Sequence, residues 1–138
     1  MRILLILLSI VGILVVAFDA FETVILPRRV VRRVRLAKIF YRVSWAGWST
    51  IGRRLRAGNR REYYLSFYGP LSLILLLVLW ASIFILAFAC LYWSLEIPVH
   101  ELAPGIGFGG YLYMSGTTFV TIGFGDITPI SAMGRFLA

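Results

Sequence analysis

The chain has 138 residues, 60% of them hydrophobic, with a mean hydropathy of +0.88 and a formal net charge of +8. Soluble globules average nearer half apolar residues, so this composition excludes an ordinary water-soluble domain. A lone cysteine, Cys90, excludes an intramolecular disulfide, and without a Ser/His/Asp set, a paired Cys/His spacing or a phosphate loop neither an enzyme nor a bound cofactor is expected.

The first apolar stretch covers residues 3–26 and is interrupted only by Asp19 and Glu22. A cleaved signal peptide is the competing reading. Its n-region would be Met1-Arg2 alone, no small-x-small site follows, and Asp19 and Glu22 occupy the place of one. A retained transmembrane helix is expected, ended by Pro27. Asp19 and Glu22 share a helix face about 7 to 12 Å before Pro27, at 1.5 Å per residue. Intramembrane carboxylates often mark ion pathways. These two lie near enough to the interface to snorkel or to pair with the arginines beyond, so a structural role is expected.

Residues 27–68 hold twelve of the fourteen Lys and Arg residues, leaving only Arg2 and Arg135 elsewhere. Short Lys/Arg-rich loops stay cytoplasmic. This segment is therefore expected inside the cell, Met1 outside, and the next span running outward. Val30, Val31, Val34, Ile39, Phe40, Val43, Trp45 and Trp48 are interleaved with Arg32, Arg33, Arg35, Lys38 and Arg42. Helices of that composition lie in the interface against anionic headgroups, which makes Arg28, Arg29, Arg32, Arg33, Arg35 and Lys38 candidate lipid contacts. A plain orientation signal followed by a solvated connector explains the charges equally well. Nucleic-acid binding is not expected, because both ends are tethered to spans. Gly52, Gly58 and Asn59 are expected to break the region into pieces.

Residues 71–95 are 25 in a row without a charge, and about 20 suffice to cross a bilayer. This is the second span. Glu96, His100 and Glu101 follow, and a solvated loop explains them better than a metal site. Gly105, Gly107 and Gly110 spell G-x-G-x-x-G, with Asp126 farther on. A dinucleotide fingerprint needs a preceding strand and a following helix in a βαβ unit, and a membrane helix precedes this one. Residues 103–110 are read as a flexible approach to a helix at 111–120.

Residues 121–126, Thr121-Ile122-Gly123-Phe124-Gly125-Asp126, read T-x-G-F-G-D. This string resembles the selectivity filter of the potassium-channel superfamily, the standard case of selectivity by rings of backbone carbonyls. The resemblance covers roughly residues 70–138. It implies an outer helix at 70–95, a turret at 96–110, a re-entrant pore helix at 111–120, the filter at 121–126, and the start of an inner helix at 131–138. A dehydrated K⁺ needs replacement oxygens that all face one axis, so some residues must adopt φ > 0, where glycine has no steric cost. Gly123 and Gly125 meet that need. K⁺ is thus expected at Thr121, Ile122, Gly123 and Phe124, with Gly125 completing the filter. Ile122 and Phe124 are expected to turn their side chains onto the pore helix. Asp126 stands at the outer mouth, either gathering cations or hydrogen-bonding behind the filter. Thr117 and Thr118 are expected to satisfy backbone groups at the pore helix's end. Phe124 replaces the commoner Tyr, as in two-pore-domain potassium channels, so one hydroxyl tie is absent.

The expectation is an all-α membrane protein of three regions. These are an N-terminal transmembrane helix (1–26), a basic interfacial cytoplasmic linker (27–68), and a partial pore domain (69–138). Its function would be that of a potassium channel subunit in the plasma membrane, assembling as a homo-tetramer and contacting anionic lipid, with K⁺ only as permeant ion. The alternative is a non-conducting anchor that binds anionic lipid or a partner through the Arg/Trp-rich segment. Residues 133–138 span about 9 Å of the roughly 30 Å an inner helix needs. A complete relative is expected to add at least about 20 apolar residues, and the 138 residues alone to conduct poorly.

Overall fold

The computed structural model describes residues 1–24, 36–54, 58–100 and 107–138. Helix α1 is Arg2–Val24, α2 Leu36–Arg54, α3 Asn59–Ser66 and α4 Tyr68–Ser94. Strand β1 is Val99–His100, α5 Phe108–Phe119, β2 Thr128–Pro129 and α6 Ala132–Leu137. Pro27, the arginines at 28, 29, 32, 33 and 35, Glu101 and Gly105 lie outside the described residues.

Two helical stretches, Arg2–Val24 and Asn59–Ser94, are long and apolar enough to cross a membrane. Their large apolar residues point outward: Ile3, Leu4, Leu8, Leu14, Leu73, Ile74 and Leu77 are all more than half exposed. Water would not tolerate so continuous an apolar surface, whereas lipid does. With a two-residue ladder as its only β-structure among the described residues, this is an all-α membrane protein. Pro70 sits in the first turn of α4, where its missing N–H has no intrahelical acceptor to lose.

The chain forms two compact units, Met1–Val16 with Ala81–Ala138, and Ala17–Trp80. In the second, α2 is amphipathic: Ala37, Tyr41, Ser44, Trp48 and Gly52 recur at helical spacing on the covered side. Trp48 stacks on Tyr64 with ring centroids 4.3 Å apart and donates its indole N–H to the Tyr64 carbonyl at 3.3 Å. Trp45 meets Tyr68 edge-on at 4.9 Å, and the Tyr68 hydroxyl lies 2.8 Å from that of Ser44. Each aromatic pair adds about 0.5–1.5 kcal/mol beyond its buried area.

Gly52 does not break the segment, contrary to expectation. It lies inside α2 because a Cβ there would stand 3.0 Å from Leu65 Cδ2. Glycine at that point lets α3 approach. Gly58 and Asn59 do mark the start of a new helix, with Gly58 as N-cap of α3.

In the first unit, Tyr92, Ile97 and Met114 form the buried core, with Phe88, Leu95, Val99, Tyr111, Ile127 and Leu137 against it. Helix α4 ends in a Schellman motif. Glu96 adopts φ 48°, its N–H reaches the Trp93 carbonyl at 3.3 Å, and the Ile97 N–H reaches that of Tyr92 at 3.2 Å. The apolar Tyr92–Ile97 contact completes the motif. The Glu96 carboxylate pairs with Arg2, which joins the first turn of α1 to the turn that ends α4. The chain then pairs β1 with β2 antiparallel, Val99 opposite Pro129 and His100 opposite Thr128.

Candidate functional site

Helix α5 begins at Phe108, three residues before the expected Tyr111, so 108–110 are helical rather than a flexible approach. Gly107 is extended and serves as N-cap, Gly110 N–H bonds to its carbonyl at 3.0 Å, and the Phe108 ring packs edge-on against Trp93 at 5.6 Å. The helix is anchored along its length. Tyr111 donates its hydroxyl to the Ile97 carbonyl at 3.1 Å, Gly116 faces Ile85, and Phe119 stacks on Phe84 at 6.0 Å.

A second Schellman-type turn closes the C-terminal end of α5. Thr121 N–H reaches the Thr118 carbonyl at 2.9 Å, and Ile122 N–H and Gly123 N–H converge on the Thr117 carbonyl at 2.9 and 3.3 Å. The residue in the left-handed position is Thr121, at φ 58°. For a β-branched side chain this is a strained conformation, costing on the order of 1–3 kcal/mol. Its hydroxyl lies 2.7 Å from the Val120 carbonyl. Thr117 bonds the Met114 carbonyl through its own hydroxyl at 3.1 Å, whereas Thr118 serves the turn with its backbone carbonyl.

Beyond the turn, Gly123 and Gly125 lie at φ 53° and 77°, alternating with Ile122 and Phe124, in a left-handed backbone that glycine adopts without steric cost. Ile122 and Phe124 are 54% and 68% exposed in the single chain, so they do not pack onto α5 as the sequence suggested. The loop stands out from the fold with its two large apolar side chains uncovered.

Asp126 is half-buried, and its Oδ1 accepts the Ile127 N–H at 3.1 Å. It also hydrogen-bonds the hydroxyl of Tyr113, on α5. That bond, with some burial and the nearby negative charge, holds the Tyr113 hydroxyl above its ordinary value of 10.0. Of the two roles open to Asp126, a tie back to the helix is present. Tyr113 is the residue that sequence reasoning missed, since nothing marks it until α5 and the loop fold against each other.

The far side of the loop is held by the ladder and by α6. Ile130 N–H bonds the Pro98 carbonyl at 3.0 Å, and Ser131 caps α6 by accepting Gly134 N–H at 3.1 Å. The Tyr92 hydroxyl donates to the Gly134 carbonyl at 3.0 Å. A Cβ on Gly134 would fall 2.7 Å from Ile97 Cγ2 and 2.8 Å from Pro129 Cβ. Of the basic candidates, the described Lys38 lies exposed on α2 beside Ile39, Arg42 and Val43. No cluster of three metal-ligating side chains occurs among the described residues.

A short helix packed beside an apolar helix of membrane-spanning length leads into a loop with glycines at alternate left-handed positions. Residues 71–138 match the family model Ion_trans_2, described as Ion channel. That match supports a pore domain of the potassium-channel superfamily over this stretch. No curated protein and no solved structure matches the chain.

Proposed function

We propose that the chain is a subunit of a potassium-selective channel in which four copies bring their 121–125 segments to one axis. The observation that carries this reading is the backbone of the loop: left-handed conformations at Thr121, Gly123 and Gly125 in a stretch with exposed carbonyl-bearing residues. One such strand offers a cation too few oxygens to replace its water, whereas four around an axis supply a ring at each level. K⁺ would then be coordinated at Thr121, Ile122, Gly123 and Phe124, with Gly125 and Asp126 at the mouth. The uncovered Ile122 and Phe124 side chains support assembly, because neighbouring copies would bury them. The Asp126–Tyr113 bond stiffens the mouth in place of the hydroxyl that Phe124 lacks.

In this reading the protein lies in the plasma membrane, and its Lys/Arg-rich segment supports an orientation with Met1 outside and α2 on the cytoplasmic side. There the outward side of α2, with Ile39 and Val43 flanked by Lys38, Arg42, Arg53 and Arg54, rests on anionic lipid. The reading is tested by flux. Vesicles containing the full gene product should take up K⁺ and Rb⁺ in preference to Na⁺ and lose this uptake on Gly123→Ala. Equal K⁺ and Na⁺ uptake, or none, would refute it.

A further inference from the structure

Asp19 is a carboxyl-bearing residue inside the first membrane helix, and it is 5% exposed. A charged or polar group at that position is costly unless it is given donors. Among the described residues two donors reach it, and both come from other helices. The Ala37 backbone N–H, in the first turn of α2, reaches Asp19 Oδ2 at 3.0 Å. The Trp80 indole N–H, on α4, reaches the same oxygen at 3.0 Å. All three residues belong to the Ala17–Trp80 unit. The α2 donor is one of the N–H groups that a helix's first turn cannot satisfy internally, so the bond serves both partners. Trp80 is itself 6% exposed and has no second polar atom to offer.

We propose that Asp19 is a positioning residue that pins the first turn of α2 to the outer helix α4 through a single shared oxygen. The exposed side of α2 carries Lys38, Arg42, Arg53 and Arg54, so it is the part of this unit that anionic headgroups pull on. Farther along, α2 meets α3–α4 through aromatic rings and through hydrogen bonds at Trp48, Ser44 and Tyr68. At the first turn the contact runs instead through the Asp19 carboxylate, which α1 supplies to both helices. A displacement of α2 on the membrane surface therefore reaches α4 at Asp19. The lipid contact rests on the proposed reading, but the pin itself does not.

The test is a distance, which requires no conduction. In a Cys90→Ser background, spin labels at Ile39→Cys on α2 and Leu77→Cys on α4, close to Ala37 and Trp80, report the α2–α4 separation at the pin in vesicles by double electron–electron resonance. Both native side chains are exposed, so the labels displace no packing. With Asp19 present the distribution should be narrow. Asp19→Leu, of similar size but without an acceptor, should widen it at least about twofold. Asp19→Asn keeps a carbonyl oxygen and should restore the narrow distribution, a rescue that mere loss of packing would not permit. Trp80→Phe removes one donor and should widen it too, with no further widening when combined with Asp19→Leu. If Asp19→Leu does not fold, Trp80→Phe alone carries the test. An unchanged distribution in Asp19→Leu or in Trp80→Phe, an Asn variant as wide as the Leu variant, or additive widening in the double variant would each overturn the proposal. Flux on the same samples separates this outcome from failure of the channel reading.

Discussion

Replacing Gly123 with alanine isolates the backbone requirement of the loop. Gly123 lies at φ 53°, and a Cβ built there meets no heavy atom within 4 Å in the single chain. The penalty in one copy is therefore conformational, about 1–2 kcal/mol for holding an L-residue in the left-handed region. In a pore of four copies it falls four times on one structure, about 4–8 kcal/mol in all. At about 1.4 kcal/mol per tenfold, the conducting conformation should lose roughly three to six orders of magnitude in population. Rb⁺ uptake into vesicles at equal protein loading is the assay. The control is Gly47→Ala, in the middle of α2, where a Cβ also meets nothing within 4 Å. Alanine there favours the helix by about 0.8–1.0 kcal/mol and should leave uptake unchanged. Uptake by Gly123→Ala within a few-fold of the parent would refute the requirement for a left-handed residue at this position.

Gly134→Ala should destabilise the ladder side of the loop by about 1–3 kcal/mol, since its Cβ would overlap Ile97 and Pro129; thermal unfolding in detergent measures it. Glu96→Gly should instead stabilise by about 1 kcal/mol, relieving the left-handed strain at φ 48°. The exposed Arg2 pair it removes is worth only about 0–1 kcal/mol, so a lowered melting temperature would contradict the Schellman assignment. The Tyr113–Asp126 bond gives a pH dependence of definite sign. The Tyr113 hydroxyl is held above its ordinary value of 10.0, so its contribution is whole below that value and lost as pH rises through the raised one. Ultraviolet titration should show late-ionising tyrosine, and Tyr113→Phe should reduce that late component by one tyrosine.

What could be read without the fold was whatever depends on local chain properties. Twenty-five uncharged residues at 71–95 fix a membrane helix because the bilayer sets its length. Gly123 and Gly125 fix a conformational need because no other residue meets it so freely. Helix α2 was harder. Its Trp and Arg residues suggested an interfacial segment, but Gly52 reads as a breaker until Leu65 is known to lie over it. The start of α5 was missed because Gly107 as an N-cap looks like any loop glycine. The partners in the long-range pairs were not legible. Arg2 with Glu96, Asp19 with Trp80, and Tyr113 with Asp126 are each separated by many residues, and only tertiary packing brings a donor to its acceptor. Glu96, offered by sequence as a remote metal-ligand candidate, proves to be a helix terminator that pairs with Arg2.

The central claim is that the backbone oxygens of residues 121–124 surround a dehydrated cation on a common axis. Anomalous scattering from Rb⁺ or Tl⁺ in a structure of the assembled full gene product tests it most directly. A row of ion density on the axis, flanked by carbonyls of Thr121, Ile122, Gly123 and Phe124 from each copy, is the predicted result. Assembled copies whose 121–125 segments lie apart from any shared axis, with no ion between them, would contradict it.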